Sequence, residues 1–335
     1  MKTETLKIAL SKMLEQDVTY ADYQLETLQG GTVGNVQLIS GIAKTTKGET
    51  PYKIILKTQA KWERQGDPNS WRREYDLYAS ELGKSFSHTF SWPTCYLAEF
   101  SGNETRLWIK YIEGATGDAL TTEMLENTAT KLGQYQGRLL AKNHDYLQNI
   151  TNLGRLNAIE EHYRHWKLKN VEYKYVRDPH CKIPKHLCDM IIDIDNRADA
   201  IFENIRKLPV VLCHRDFWIA NIISTDDGIT LIDWDTAGWG YLGEDIIQLI
   251  TDETNPVYWD EYKHRLIPEY FKGFSEYVRM PDTAQKIICQ IPLVHLGYLS
   301  VLYFLQNDLV AGEHYPGIES LQKLYDVFYD KKDGI

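Results

Sequence analysis

His214-Arg215-Asp216-Phe217-Trp218-Ile219-Ala220-Asn221, followed by Ile232-Asp233-Trp234-Asp235, is the stretch from which the rest of the chain can be read. Asp216 and Asn221 are five residues apart. Asp233 closes the apolar run Ile229-Thr230-Leu231-Ile232. Between them, Asp226-Asp227-Gly228 has the composition of a hairpin turn. A loop, a strand, an Asp-Gly turn and a returning strand would bring Asp216, Asn221 and Asp233 to one place. That trio suits phosphoryl transfer. A carboxylate can align a hydroxyl and accept its proton, while a neutral oxygen and a second carboxylate can hold magnesium. Turn formation and capping by Asp and Asn is the structural alternative. It explains each residue singly but not the combined pattern, with His214 ahead and the apolar-flanked Asp233 behind.

Working outward, Thr5 to Leu14 places Leu6, Leu10, Met13 and Leu14 at helical spacing. Three strand-like runs follow, Tyr23 to Leu28, Asn35 to Ala43 and Tyr52 to Thr58, with Lys44 to Pro51 as a turn. Trp71 to Leu82 reads as a helix, and Cys95 to Phe100 and Arg106 to Ile112 as two more strands. Gly114 to Thr122 reads as a connector. Beyond it the pattern is mainly helical: Glu123 to His144, Ala158 to Lys169, Pro184 to Leu208 and most of Tyr258 to Tyr329, interrupted by strand-like Val210 to Asp235. The expected fold is α+β and bilobal. Residues 1–113 form a sheet-rich N-terminal lobe, and residues 114–335 form a larger, mainly helical lobe.

The 335 residues are 43% hydrophobic and 25% charged, an ordinary globular composition. The N-terminus lacks a signal-peptide core and no run reaches membrane-spanning length, so no membrane partner is expected. The five cysteines are scattered without a Cys-x-x-Cys pair, which suggests a reduced, cytoplasmic protein. A formal net charge of −10 argues against nucleic acid. From Arg215 onward there are 20 acidic and 9 basic residues, a net of −11, which leaves about +1 for the first 214. An acidic second half can steer a cationic ligand by its long-range field. A generic solubility surface has the same composition.

The quoted residues resemble the aminoglycoside phosphotransferase and choline kinase superfamily, whose fold is that of protein kinases. The family signature, His-x-Asp-x-x-x-x-Asn followed by Ile-Asp-Trp or Ile-Asp-Phe, is matched by His214 to Asn221 and by Ile232-Asp233-Trp234. The resemblance implies that Asp216 is the catalytic base and that Asn221 and Asp233 hold Mg2+. Glu244-Asp245-Ile246-Ile247 looks like the family's following helix start. Arg215 departs from the Gly of many relatives and is reminiscent of protein kinases. Asp-Trp-Asp stands in place of Asp-Phe-Gly, however, and no Ala-Pro-Glu follows.

The resemblance extends upstream, over roughly residues 28–249. Lys57, closing Ile54-Ile55-Leu56, matches the lysine that pairs the α and β phosphates. Lys53 is its rival. Glu74 on the next predicted helix would brace Lys57, with Asp76 as the weaker candidate. In Gln29-Gly30-Gly31-Thr32-Val33-Gly34-Asn35-Val36, Gly31 and Gly34 match a phosphate-covering loop whose first glycine is replaced by Gln29. Leu107 to Gly114 resembles the family hinge, where backbone groups near Lys110 and Ile112 would meet adenine. The aromatics Tyr163, Trp166, Tyr173, Tyr175, Trp239, Tyr258, Trp259, Tyr262 and Tyr270 read as core.

The function implied is transfer of the γ phosphate of ATP, with GTP as the alternative donor, to a hydroxyl of a small acceptor. An aminoglycoside-like antibiotic or an amino alcohol would fit. A protein kinase-like enzyme and a nucleotide-binding protein without catalysis are the rival readings. The oligomeric state is not indicated.

Overall fold

The computed structural model describes residues 3–28, 34–64, 66–142, 147, 149–169, 176–252, 254–296 and 317–329 of the 335. Gly31, Tyr173 and Tyr175 lie outside these residues, and the side chain of Trp166 is likewise not described. The chain divides into two compact units. Neither is a continuous segment. The first comprises Met1–Leu120, Asn143–Gly154 and Ala220–Ala237; the second comprises Thr121–Lys142, Arg155–Ile219 and Gly238–Ile335.

The first unit is built on a six-stranded antiparallel sheet. Its strands are β1 (Val18–Ala21), β2 (Gln24–Thr27), β3 (Asn35–Thr45), β4 (Gly48–Ala60), β6 (Cys95–Phe100) and β7 (Glu104–Lys110), with β5 (Phe90–Ser91) lying elsewhere. The order is β1-β3-β4-β7-β6, and β2 also pairs with β3. Alternating side chains give the sheet two buried faces. On one, Ile39, Ala43, Ile54, Leu56 and Trp108 meet Leu6, Ala9 and Leu10 of helix α1 (Thr3–Leu14). On the other, Ile55, Leu107 and Ile109 meet Tyr75 and Tyr78 of helix α2 (Arg73–Tyr78).

Two sequence expectations need correction here. The turn read at 44–51 is far shorter, because β3 runs to Thr45 and β4 starts at Gly48. Pro51 sits inside β4 opposite Ile42. It is tolerated because Ile42 directs its own N–H and C=O to Asp22, and β7 does not reach this end of β4, starting its pairing at Ile54. The helix read over 71–82 is broken into a 3-10 turn at Ser70–Arg72, α2 and a second 3-10 turn at Glu81–Ser85. Ser80 makes the break, its hydroxyl accepting from Leu82 N and so capping the second turn.

The first unit also holds a three-stranded sheet in the order β5-β10-β9, where β9 is Ile222–Thr225 and β10 is Gly228–Leu231. The Asp226-Asp227 turn joins β9 to β10 in antiparallel register. The segment after β7 is tied to this hairpin by reciprocal backbone bonds of 2.9 and 2.8 Å between Ala115 and Ser224. Gly114 permits that approach, since a Cβ there would lie 2.5 Å from the Ser224 carbonyl oxygen.

The second unit is mainly helical. It contains α3 (Thr122–Ala141), α4 (Ala158–Lys169), α5 (Lys185–Ile205), α6 (Glu244–Thr251), α7 (Trp259–Ser275), α8 (Thr283–Ile288) and α9 (Gly317–Val327). Gly133 on α3 and Gly273 on α7 let these two helices touch backbone to backbone, where any Cβ would strike a carbonyl of the partner helix. A two-stranded antiparallel ribbon, β8 (Val210–Cys213) with β11 (Gly238–Tyr241), is the only sheet described in this unit. Tyr163, Trp259 and Tyr270 are core residues as expected, whereas Tyr258 is exposed.

Candidate active site

In the first unit the site is organised around Lys57. Its strand β4 pairs on both sides, with Val36 opposite it on β3 and Leu107 on β7, so the lysine projects from the middle of the sheet. Its ammonium lies 2.5 Å from Glu74 Oε2 and 2.7 Å from Asp233 Oδ1. Burial alone would push this ammonium down. The Glu74 and Asp233 carboxylates outweigh burial and hold it above the ordinary lysine value. Burial pushes the Glu74 carboxyl up, opposed by Lys57. The rivals go elsewhere: Lys53 sits over the Tyr111 ring at 5.0 Å, and Asp76 pairs with Arg72 one turn back at 2.7 Å.

Asn221 and Asp233 stand at the same end of the β9–β10 hairpin. The bond from Ile232 N to Asn221 O, 3.0 Å, closes that end just beyond the Leu231–Ile222 pair. Asp233 takes a left-handed backbone with φ 64°, a conformation that costs about 1 kcal/mol or more outside glycine. Consecutive residues of α2 hold the loop around it. Glu74 Oε1 accepts from Trp234 N at 3.4 Å, and Arg73 donates to the Asp235 carbonyl at 2.8 Å. Arg73 is 1% exposed and also grips Asp67 at 2.6–2.7 Å and the Asn152 carbonyl at 2.6 Å. Trp234 is buried against Phe86 and Trp92. Arg64 reaches the Asp235 carboxylate at 3.3 Å.

Of the other residues singled out from sequence, Gly34 precedes β3 and packs against Gln59 and Thr58 of β4. Lys110 ends β7, with its N–H already given to Thr94 O at 2.8 Å; Ile112 lies two residues beyond. Asn221 and Asp233 form an all-oxygen donor pair of the kind magnesium takes. Among the described residues, no three His, Cys, Asp or Glu side chains converge to hold a metal unaided.

Within the second unit, the His214–Phe217 segment leaves β8. Two side chains one turn apart on α6 fix its backbone. Asp245 accepts from His214 N at 3.0 Å and from Arg215 N at 2.9 Å. Gln248 donates to Arg215 O at 3.0 Å and accepts from Phe217 N at 3.3 Å. Asp216 is thus carried on a loop whose backbone is held on both sides, and its side chain is half-buried. Burial pushes the Asp245 carboxyl up to about 6, against the two N–H donors. Arg215 has φ 65°, which accounts for glycine being the easier residue at this place. Its guanidinium donates to the carbonyls of Arg155 and Trp239 and lies 3.8 Å from Glu244.

Sequence reading singled out neither Arg73 nor Gln248, and took Asp245 only as part of a helix start. No local feature of the sequence sets Arg73 apart from Arg72. Asp245 and Gln248 lie about 30 residues from the loop they fix, and nothing local signals the pairing.

The profile described as "APH: Phosphotransferase enzyme family" matches residues 92–281, more than half of the chain. The chain belongs to this family. The phosphotransferase shares its α+β, protein-kinase-like fold with solved small-molecule kinases of low sequence identity. A choline kinase from Cryptosporidium parvum Iowa II is 16% identical with TM-score 0.54, over 98% of this chain and 94% of that one. A choline/ethanolamine kinase family protein from Mesorhizobium loti is 15% identical with TM-score 0.54, over 98% and 95%. The amicoumacin kinase hAmiN, solved with AMP-PNP, Ca2+ and Ami, is 14% identical with TM-score 0.54, over 90% and 87%. A comparison with curated proteins by sequence finds no match. Among the described residues, no helix of the phosphotransferase is long and apolar enough to cross a membrane.

Proposed function

We propose that this phosphotransferase moves the γ phosphate of ATP to a hydroxyl of a small cationic molecule, an amino alcohol or an aminoglycoside-like compound. The observation that carries this reading is the Lys57–Glu74–Asp233 cluster. A fold member that had lost catalysis would have no need to hold a lysine, its side chain 13% exposed, between two carboxylates, one of them on the hairpin that also carries Asn221. Residues 1–113 take the nucleotide in this reading, and residues 114–335 carry the acceptor and Asp216.

In the reaction, Asp216 orients the acceptor hydroxyl and takes its proton as the oxygen attacks the γ phosphorus in line. Lys57 meets the α and β phosphates and balances the charge that builds on the leaving group. Glu74 keeps the lysine aimed. Asn221 and Asp233 would hold magnesium, which when bound with the nucleotide neutralises phosphate charge. Gly31 and Gly34 cover the phosphates through backbone amides. With the Lys110 N–H committed to Thr94, its carbonyl and the Ile112 backbone are the groups left to meet adenine.

Support for a cationic acceptor comes from the net charge of −11 beyond residue 214. Fold neighbours named as choline and aminopropanol kinases suggest the size of acceptor. The test is ADP release with magnesium and ATP or GTP across a panel of amino alcohols, aminoglycosides and neutral sugars of matched size. Acceptor-dependent turnover confined to amino compounds is expected. Turnover only with neutral sugars would overturn the cationic assignment, and tight nucleotide binding with no turnover would favour a binding protein.

A further inference from the structure

Cys181 and Cys188 stand apart from the other three cysteines. Their sulfur atoms are 3.5 Å apart, about van der Waals contact. Cys181 lies in the turn that leads into α5, and Cys188 lies in the first turn of that helix. The two differ in environment. Cys188 is 6% exposed and its sulfur also faces the Ile183 carbonyl at 3.5 Å. Cys181 is half-buried and within reach of solvent. Burial, reinforced by Cys181, pushes the Cys188 thiol up to about 12. Cys188 therefore stays protonated at neutral pH and can donate its S–H toward Cys181.

We propose that Cys181 and Cys188 form a thiol–disulfide exchange site that reacts with low-molecular-weight disulfides of the glutathione type. The Cys181 thiolate attacks one sulfur of the disulfide. A mixed disulfide forms on Cys181, the reagent's S–S bond breaks, and the first small thiolate leaves and takes a proton. The Cys188 sulfur, already in contact, then attacks Cys181 Sγ and gives its proton to water. The second small thiolate departs, and a Cys181–Cys188 bond remains. The two cysteines lose two electrons and two protons, and the reagent disulfide becomes two thiols. The bridge closes a loop of a few residues across the start of α5. The site stands independently of the phosphotransfer chemistry.

The experiment uses the full chain, reduced and then exposed to oxidised glutathione. Remaining thiols are alkylated, and intact mass and peptide mapping are read. The expected product is a Cys181–Cys188 linked peptide, with two thiols lost and no retained glutathione. Cys188→Ser should trap one glutathione on Cys181, because the resolving sulfur is gone. Cys181→Ser should leave Cys188 unmodified while the protein stays folded, as checked by circular dichroism. The assignment is overturned if glutathione persists on Cys181 in the wild type, or if Cys188→Ser acquires no adduct. Linkage or adducts formed instead at Cys95, Cys213 or Cys289 would overturn it equally.

Discussion

Lys57 keeps its charge in a half-buried place because Glu74 and Asp233 outweigh the cost of burial. Lys57→Met removes that balance without opening a large cavity. Two facing carboxylates are left without their cation, so stability should fall by about 3 kcal/mol in urea unfolding. The rate constant for transfer should fall roughly 100- to 1,000-fold. Adding Glu74→Gln should recover part of the stability and none of the rate. Arg73 supplies a second prediction. Arg73→Met strips partners from Asp67 and from the carbonyls of Asn152 and Asp235. KM for nucleotide should rise with KM for acceptor unchanged, and Arg73→Lys should restore part of the loss. Equal rises in both constants would contradict a role confined to the Asp233–Asp235 loop. Lys57 and Asp233 were legible in the sequence because each closes an apolar run, and Glu74 because it lies on the helix predicted after Lys57's strand. Arg73 was not. Only tertiary structure distinguishes it from Arg72, which forms an ordinary pair one turn along its own helix.

At the level of elements, α6 acts as a splint for the loop that carries Asp216. Both Asp245 oxygens accept hydrogen bonds, Oδ1 from Arg215 N and Oδ2 from His214 N and the Gln136 side chain. Asp245→Asn puts an NH2 against N–H donors. It should cost about 1–3 kcal/mol and lower the transfer rate with little change in nucleotide affinity. The pH dependence follows from the folded carboxyl titrating at about 6, above its ordinary value of 3.8. Between those values the folded state binds the extra proton, so this group's contribution to stability declines as pH rises from about 4 to about 6 and is level above that. In Asp245→Asn this segment of the stability–pH curve should flatten, as followed by urea unfolding at stepped pH. The β9–β10 hairpin was readable because Asp-Asp-Gly is local turn chemistry. The β8–β11 ribbon and the break after Tyr78 were not readable in the same way. The ribbon pairs residues about 30 apart, and the break depends on a single serine cap.

For the molecule as a whole, composition and motif order were enough to expect a sheet-rich part and a helical part. They did not show that each compact unit is assembled from separated segments, with 220–237 grouped with the first and 121–142 with the second. Sequence order hides this because backbone pairing such as Ala115 with Ser224 joins residues more than 100 apart. The acidic second half leads to a prediction at this scale. For cationic acceptors kcat/KM should fall several-fold as salt rises from about 50 to about 300 mM, while neutral analogues stay level. The central claim is that Asp216 drives phosphoryl transfer in a chain whose nucleotide is held by other residues. It is tested most directly by single-turnover transfer of labelled γ phosphate to an amino alcohol, comparing wild type with Asp216→Asn at matched nucleotide saturation. The prediction is a loss of at least about 100-fold in the transfer rate, with nucleotide affinity within a factor of about two. An unchanged transfer rate in Asp216→Asn would contradict it.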